Sequence, residues 1–219
     1  LLNKSTLTQE QAEFVRQINN CSDVLLTVIN DILDFSKIEA NKIELESRQC
    51  DLVALCHDLI LLFKPSCDAK GVGCRLEVSS LQSLNVECDE IRVKQVLINL
   101  LSNAVKFTNQ GEIILSLTLQ SRDEHQTAVV LSVKDTGIGI PKDQLKAMFE
   151  KFTKLNTSRD NMYAGSGLGL YVVQKYLDVV GGQIFVASKE GEGSVFTVIF
   201  PVKESFLSAN EINPDAQYA

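Results

Sequence analysis

Apolar residues Phe14, Ile18, Cys21, Leu25, Val28, Ile32 and Phe35 step along the chain by alternating fours and threes. That spacing is the a/d seam of a helix that packs along its length against another helix. Ile29 and Leu33 widen the seam toward the broader stripe of a helix bundle. Thr8, followed three residues later by Gln11, fits a capping box at the start. The pattern therefore predicts a long N-terminal helix of coiled-coil type, from residue 8 to about residue 40. A lone helix with such a face is not stable in water, so it needs a partner. Either it folds back onto its own domain, or it is half of a helical hairpin that dimerises.

From residue 42 the pattern changes. "KIELES" alternates and reads as a short strand. Asp51 is placed to cap a helix running to about Ala69, and "GCRLEVS" reads as a strand. Residues 89–107 carry the period of a long helix. "EIILSLTL" puts Ile113, Leu115, Leu117 and Leu119 on one face, as an antiparallel half-buried strand does. "TAVVLSVKD" does the same with Val129, Leu131, Val133 and Asp135. Residues 153–164 are polar and almost without period, which predicts a mobile loop. A helix follows over about 168–180 and stops at Gly181-Gly182. "QIFVAS" and "SVFTVIFP" are closing strands. Strands in mixed order with helices predict an α+β fold, a two-layer α/β sandwich with a mixed, mostly antiparallel sheet covered by helices on one face. A polar tail follows residue 204.

Composition narrows the function. The 219 residues are 45% hydrophobic, enough for one core and an extra element. A net charge of -7 and a pI of about 4.9 argue against nucleic acid, whose phosphates need clustered Lys and Arg. The densest apolar run, "LILLF" at 59–63, is far short of the roughly 18 residues of a membrane span. The chain opens with no signal-peptide pattern. Its six cysteines are scattered without a CxxC pair, which predicts reduced structural thiols in a cytoplasmic protein.

Three stretches carry chemistry. In "INLLSNAVKFT", Asn99, Asn103 and Lys106 fall on one stripe of the 89–107 helix. A buried amide left unpaired costs about 1–3 kcal/mol, so these amides need protein partners or a ligand. Asp135 ends the inward face of its strand, where a carboxylate needs donors. Gly137 and Gly139 after it let backbone come close to something, although a D-x-G-x-G alone also suits a plain turn. "GSGLGL", with Gly165, Gly167 and Gly169, opens a helix and offers N–H groups to phosphate; alone, it equally suits a flexible hinge. There is no G-x-x-x-x-G-K-[ST], which excludes a P-loop. No G-x-G-x-x-G follows a strand in a βαβ unit, which excludes a Rossmann site.

In this order, the stretches resemble the histidine-kinase branch of the gyrase, chaperone, histidine-kinase and mismatch-repair (GHKL) ATPase superfamily. "NLLSNAVKFT" is similar to its N box, "DTGIGI" to its first glycine box, "MFEKF" to its F box and "GSGLGL" to its second glycine box. "NDILDFSKIEANKIEL" at 30–45 resembles the end of the second dimerisation helix of hybrid sensor kinases. The resemblance covers about residues 5–203. It implies a partial dimerisation hairpin over 1–41 (second helix only), an ATP-binding catalytic domain over 42–204 and a tail over 205–219.

The resemblance also implies an ATP and Mg2+ site. Asn103 gives its oxygen to Mg2+, a hard cation that binds largely through substrate phosphates. Asn99 and Lys106 lie against the same phosphates. Asp135 accepts from the adenine amino group, with Gly137 and Gly139 against the base. Gly165, Gly167, Leu168 and Gly169 form the far end of an ATP lid over roughly 150–167. Lys151 and Lys154 either reach the γ-phosphate from the lid or are solvated surface cations. Ser194 either shares the adenine site through a water or is a plain strand-start serine. Where the superfamily's hydrolases have a glutamate, this chain has Asn99, and an amide is no general base. The expected phosphoacceptor histidine lies on a helix upstream of Leu1, while His57 and His125 read as ordinary structural or surface histidines. The expected partners are a response-regulator receiver domain and a second copy through the hairpin, with no membrane contact in this fragment and a parent that is a membrane-anchored sensor. A slow ATPase of the same fold and a degenerate docking module are the competing readings.

Overall fold

The computed structural model describes residues 45–78, 83–123, 126–153 and 167–202, with scattered positions between 8 and 36. Chain order is β1 (Arg48–Asp51), α1 (Leu52–Asp68), β2 (Gly73–Val78), β3 (Asn85–Cys88), α2 (Glu90–Phe107), β4 (Glu112–Asp123), β5 (Gln126–Asp135), a 3-10 turn (Ala147–Phe149), α3 (Gly169–Val180), β6 (Gln183–Lys189) and β7 (Gly193–Val202).

The main sheet has five strands in the order β2-β4-β5-β7-β6. Only β2 and β4 run parallel, because β3 and α2 between them supply the long crossover a parallel pair needs. The other pairs are antiparallel, and β1 and β3 form a separate two-stranded ribbon. This is an α+β fold with a mixed sheet. Its inward face is built in rows across the strands, such as Leu115, Val133, Phe196 and Val186. The α2 side chains Val93, Val96, Leu97, Leu100, Leu101 and Ala104 pack on that face in one continuous core. Side chains at every second strand position and every third or fourth helix position are what make this packing available.

The helix boundaries follow their caps. Asp51 accepts from the amides of Val53 and Ala54 and begins α1; Asp89 accepts from Arg92 and begins α2. Gly181, with φ 71, ends α3. Two features depart from the pattern along the chain. Of the strand expected over 42–47, residues 42–44 lie outside the described residues and 45–47 are not in a strand; β1 starts at Arg48, and the Glu46 amide is spent on the Asp89 carboxylate at 3.1 Å. The four-residue β3 gave no periodic signal, being too short to show alternation. The five cysteines among the described residues are free; burial pushes the Cys56 thiol up to about 12, while the hydrogen bond with Cys88 holds Cys50 below its ordinary value.

At the N-terminus, the Thr8 amide donates to Gln11 Oε1 at 3.0 Å and the Gln11 amide to Thr8 Oγ1 at 3.2 Å, a reciprocal capping box. Phe14, Ile18, Ile29, Ile32 and Leu33 are helical and exposed. Cys21, Leu25 and Val28 lie outside the described residues, so the long coiled-coil helix expected from residue 8 to about residue 40 is not shown.

Asp51 also accepts from the Leu84 amide at 3.1 Å, so one carboxylate both caps α1 and holds the entry to β3. Asp51→Ala is expected to destabilise the domain by about 1–2 kcal/mol in urea unfolding. Burial favours the neutral acid here, but donors from Leu84, Ala54, Ser83 and Val53 outweigh it and hold the carboxyl below its ordinary value. Its contribution is therefore present above the unfolded value near 3.8 and disappears as pH falls through the lower folded value. The gap between wild type and Asp51→Ala should close on acidification over that range.

Candidate functional site

The inward rows of the sheet change character at one end. Next to the apolar row of Leu115, Val133, Phe196 and Val186 lies the row Ile113, Asp135, Ser194 and Ser188. Asp135 and Ser194 are each 6% exposed. The Asp135 carboxylate accepts from the Gly137 amide at 2.8 Å and from the Ser194 amide. Burial nevertheless pushes the carboxyl above its ordinary range, and the two amides only partly offset it. A carboxylate in this state has lone pairs left for another donor.

The turn after Asp135 is stitched down on three sides. The Ile138 amide donates to the Phe107 carbonyl at 3.3 Å, the Gly191 amide to the Ile138 carbonyl at 2.7 Å, and the Ile140 amide to Ser188 Oγ at 2.8 Å. A Cβ on Gly137 would lie 2.5 Å from the Phe107 carbonyl oxygen and 2.7 Å from Asp135 Oδ1, so only glycine fits. Gly139 has φ +68, and its Cβ would meet the Lys189 carbonyl oxygen at 2.0 Å. Thr136, between Asp135 and Gly137, accepts from the Glu112 amide and donates to the Gln110 carbonyl, each at 3.0 Å. The turn is thus rigid, with each residue of the D-T-G run held by a separate element.

On α2, Asn99, Asn103 and Lys106 are all half-buried along one stripe. Asn99 Nδ2 donates to the Gly169 carbonyl at 3.4 Å, which brings the amide stripe to the first turn of α3. A Cβ on Gly169 would sit in ordinary van der Waals contact with Asn99 Oδ1, at 3.5 Å. Lys106 Nζ lies 4.8 Å from the Phe107 ring centroid. The N-cap position of α3 is the fully buried Leu168, whose apolar side chain makes no cap hydrogen bond. Gly167 sits against the backbone of Phe152 and Thr153, so the two described ends of the intervening stretch meet. Phe152 holds a left-handed backbone at φ 59, a conformation that a bulky residue keeps only under constraint.

Lys151 Nζ lies over two rings, 5.1 Å from Phe35 and 5.2 Å from Tyr171. Lys154, Gly165 and the expected mobile loop lie outside the described residues, as does His125. His57 is exposed on α1. Among the described residues, no group of three His, Cys, Asp or Glu side chains could hold a metal ion. A site for a hard cation would have to draw on neutral oxygens such as the Asn103 amide and on a bound anion.

Reading the sequence missed Ser188. Its Oγ accepts from Ile140, donates to the Gly193 carbonyl at 2.9 Å and lies 2.9 Å from Ser194 Oγ. It therefore joins the glycine turn to Ser194. The signal was the β6–β7 register, which pairs Ser188 with Ser194, and no single-strand pattern contains it.

Comparison with known proteins agrees with this geometry. Residues 88–204 match the family model described as histidine kinase-, DNA gyrase B-, and HSP90-like ATPase, and residues 1–41 match that of the His Kinase A (phospho-acceptor) domain. The sensor histidine kinase GacS of Pseudomonas protegens is 39% identical over 202 residues, 90% of this chain but 22% of its own length. The chain thus spans less than a quarter of that relative. Full-length ShkA, solved in complex with AMPPNP, superposes with a TM-score of 0.77 at 31% identity, over 96% of this chain and 42% of that one. Histidine kinase ThkA, solved in complex with the response regulator protein TrrA, superposes with a TM-score of 0.62 at 25% identity, over 91% of this chain and 54% of that one. With the family model covering both the amide stripe and the glycine turns, the chain belongs to the histidine kinase-, DNA gyrase B-, and HSP90-like ATPases.

Proposed function

We propose that this chain is the ATP-binding catalytic portion of a sensor histidine kinase. It would transfer the γ-phosphate of ATP to a histidine on a helix outside this chain, for onward relay to an aspartate of a response-regulator receiver domain. The observation that carries the reading is the buried Asp135 carboxylate at the end of β5, held against a glycine turn with acceptor capacity to spare. That is the complement of an adenine amino group, with Gly137 and Gly139 as the backbone floor beside it.

The polyphosphate would then run along the stripe of Asn99, Asn103 and Lys106 toward the start of α3, with Gly165, Gly167, Leu168 and Gly169 as the far end of the lid and Lys151 and Lys154 as lid cations. Asn103 would offer its amide oxygen to Mg2+, which would supply charge neutralisation on the phosphates. Ser194, with Ser188 behind it, takes the second polar edge of the base. Asn99 holds its position by donating to Gly169, and its amide has no basic lone pair to activate water, so hydrolysis stays slow while the nucleotide waits for an imidazole. A slow ATPase would need a base where Asn99 stands. A docking module would not need Asp135 or Asn103. The 1–41 segment belongs to the dimerising hairpin, and its exposed apolar residues are the face that a second copy and the acceptor helix cover. No described helix is long and apolar enough to cross a membrane, and anchoring of a membrane sensor falls to other parts of the parent protein.

Two outcomes test this. Asp135→Asn should weaken ATP and ADP binding by about tenfold or more in calorimetry, because the charged acceptor is lost and an amide donor can face the adenine donor. Its melting temperature at neutral pH, without nucleotide, should not fall. A raised folded value means that the charge costs stability once pH exceeds it, and asparagine removes that cost. Unchanged affinity would remove Asp135 from the site. For phosphotransfer, the chain is incubated with γ-labelled ATP, alone and with a longer chain that includes the upstream histidine and carries Asn103→Ala. Label should enter the longer chain only, and acid-labile label on His57 or His125 of the short chain would overturn the proposal.

A further inference from the structure

The C-terminal end of α2 needs four acceptors satisfied, because the last four carbonyls of a helix have no intrahelical partner. Here all four are accounted for. The Ala104 carbonyl takes the Thr108 amide at 3.0 Å, and the Phe107 carbonyl takes the Ile138 amide of the glycine turn at 3.3 Å. The Val105 and Lys106 carbonyls both accept from one side chain, Lys70 Nζ, at 2.5 Å and 3.4 Å. The same ammonium reaches the Thr108 carbonyl at 3.3 Å. Thr108 is fully buried, Val105, Lys106 and Phe107 are half-buried, and Lys70 reaches the carbonyls of Val105, Lys106 and Thr108 from the exposed side. There is no glycine at this C-cap: Thr108 leaves in an extended conformation with φ -101 and ψ 121, so no left-handed cap closes the helix.

Lys70 is itself delivered by a tight turn. The Lys70 and Val72 amides both donate to the Cys67 carbonyl, and the Gly71 amide to Asp68, each at 3.0 Å. The Gly73 amide donates to the Gly111 carbonyl at 2.8 Å, which ties the turn to the loop just beyond α2. Cys67 and Val72 are buried on either side of it. The cation therefore projects from a fixed base onto the negative end of the helix dipole.

We propose that Lys70 is a positioning residue for the nucleotide site, clamping the last turn of α2 so that the Phe107 carbonyl receives the Ile138 amide and the glycine turn stays seated against Asp135. The link is steric as well as polar, since the Phe107 carbonyl occupies the space a Gly137 Cβ would take. Lys106, at the phosphate end of the stripe, belongs to the same clamped turn. Lys70 touches no nucleotide; its three donors point at three carbonyls. This inference rests on the adenine-site reading for its consequence in binding, but not for the clamp itself.

The test compares wild type, Lys70→Met and Lys70→Arg by amide hydrogen exchange without nucleotide and by ADP titration with Mg2+. In Lys70→Met, exchange at Ile138 and Thr108 should speed up about tenfold while β4 and β5 amides keep their protection, and the ADP dissociation constant should rise about five- to tenfold. Lys70→Arg retains the donors and should restore both. Unchanged exchange at Ile138 in Lys70→Met overturns the clamp, as does uniform loss of protection across the sheet, which marks a merely structural role. Failure of arginine to restore protection also overturns it. If wild type itself binds no ADP, the adenine-site reading fails, and the exchange measurement still decides the role of Lys70.

Discussion

A carboxylate at the inward end of a central strand is the constraint on which the surrounding structure depends. Asp135 occupies a row of the sheet whose neighbours on the same face are Leu115, Val133 and Phe196, and a charge there is tolerable only where donors converge on it. The donors are main-chain amides, and they constrain the path of the backbone on both sides. The chain must turn at once, so that Gly137 can present its N–H, and β7 must pair in the register that places the Ser194 amide opposite. A side chain at position 137 would fill the space of the Phe107 carbonyl, so the glycine is required by the end of α2 as much as by the carboxylate. The balance remains tipped against the charge, as the upward shift of Asp135 shows.

The helix α2 is held from opposite sides. Its apolar stripe is packed in the core, while the adjoining stripe of Asn99, Asn103 and Lys106 stays half-buried and polar. One end is fixed by the Asp89 cap, which also takes the Glu46 amide from the strand-free approach to β1. The other is fixed by Lys70 and by the glycine turn. A helix restrained at both ends and along one face keeps polar groups at set positions without their needing strong contacts of their own. On that stripe Asn99 bonds to Gly169 at 3.4 Å and Lys106 lies over the Phe107 ring.

The N-terminal segment meets the catalytic fold at Phe35. Its ring is half-buried, with centroids 5.9 Å from Tyr171 and 6.0 Å from Phe152, and Lys151 lies over the Phe35 and Tyr171 faces. Tyr171 is in the first turn of α3, and Phe152 has the left-handed backbone at the start of the polar stretch. Phe35 is therefore packed against Phe152 and Tyr171, which flank residues 153–168, while Phe14, Ile18, Ile29, Ile32 and Leu33 remain exposed. One ring thus packs on the chain's own domain.

Local pattern and local chemistry are enough for much of this molecule. The alternation in "EIILSLTL" and "TAVVLSVKD" places the inward residues of β4 and β5, because side chains in a strand must alternate. Asp51, Asp89 and Gly181 set helix ends through bonds and dihedrals within a few residues, and the Thr8–Gln11 box does the same. The glycine boxes and amide stripe are likewise written in consecutive residues, so the family resemblance could be read from them. What the chain could not declare depends on register and on contacts distant in sequence. Strand β3 is too short for a period, and its existence depends on β1 and on the Asp51 bond to Leu84. Ser188 belongs to the site only because β6 pairs with β7 so that it faces Ser194. Lys70 looks like a surface cation 35 residues from the carbonyl it caps. Such residues acquire their roles when strands pair and helix ends are buried, because only then does a backbone group lose water and need a particular side chain in its place.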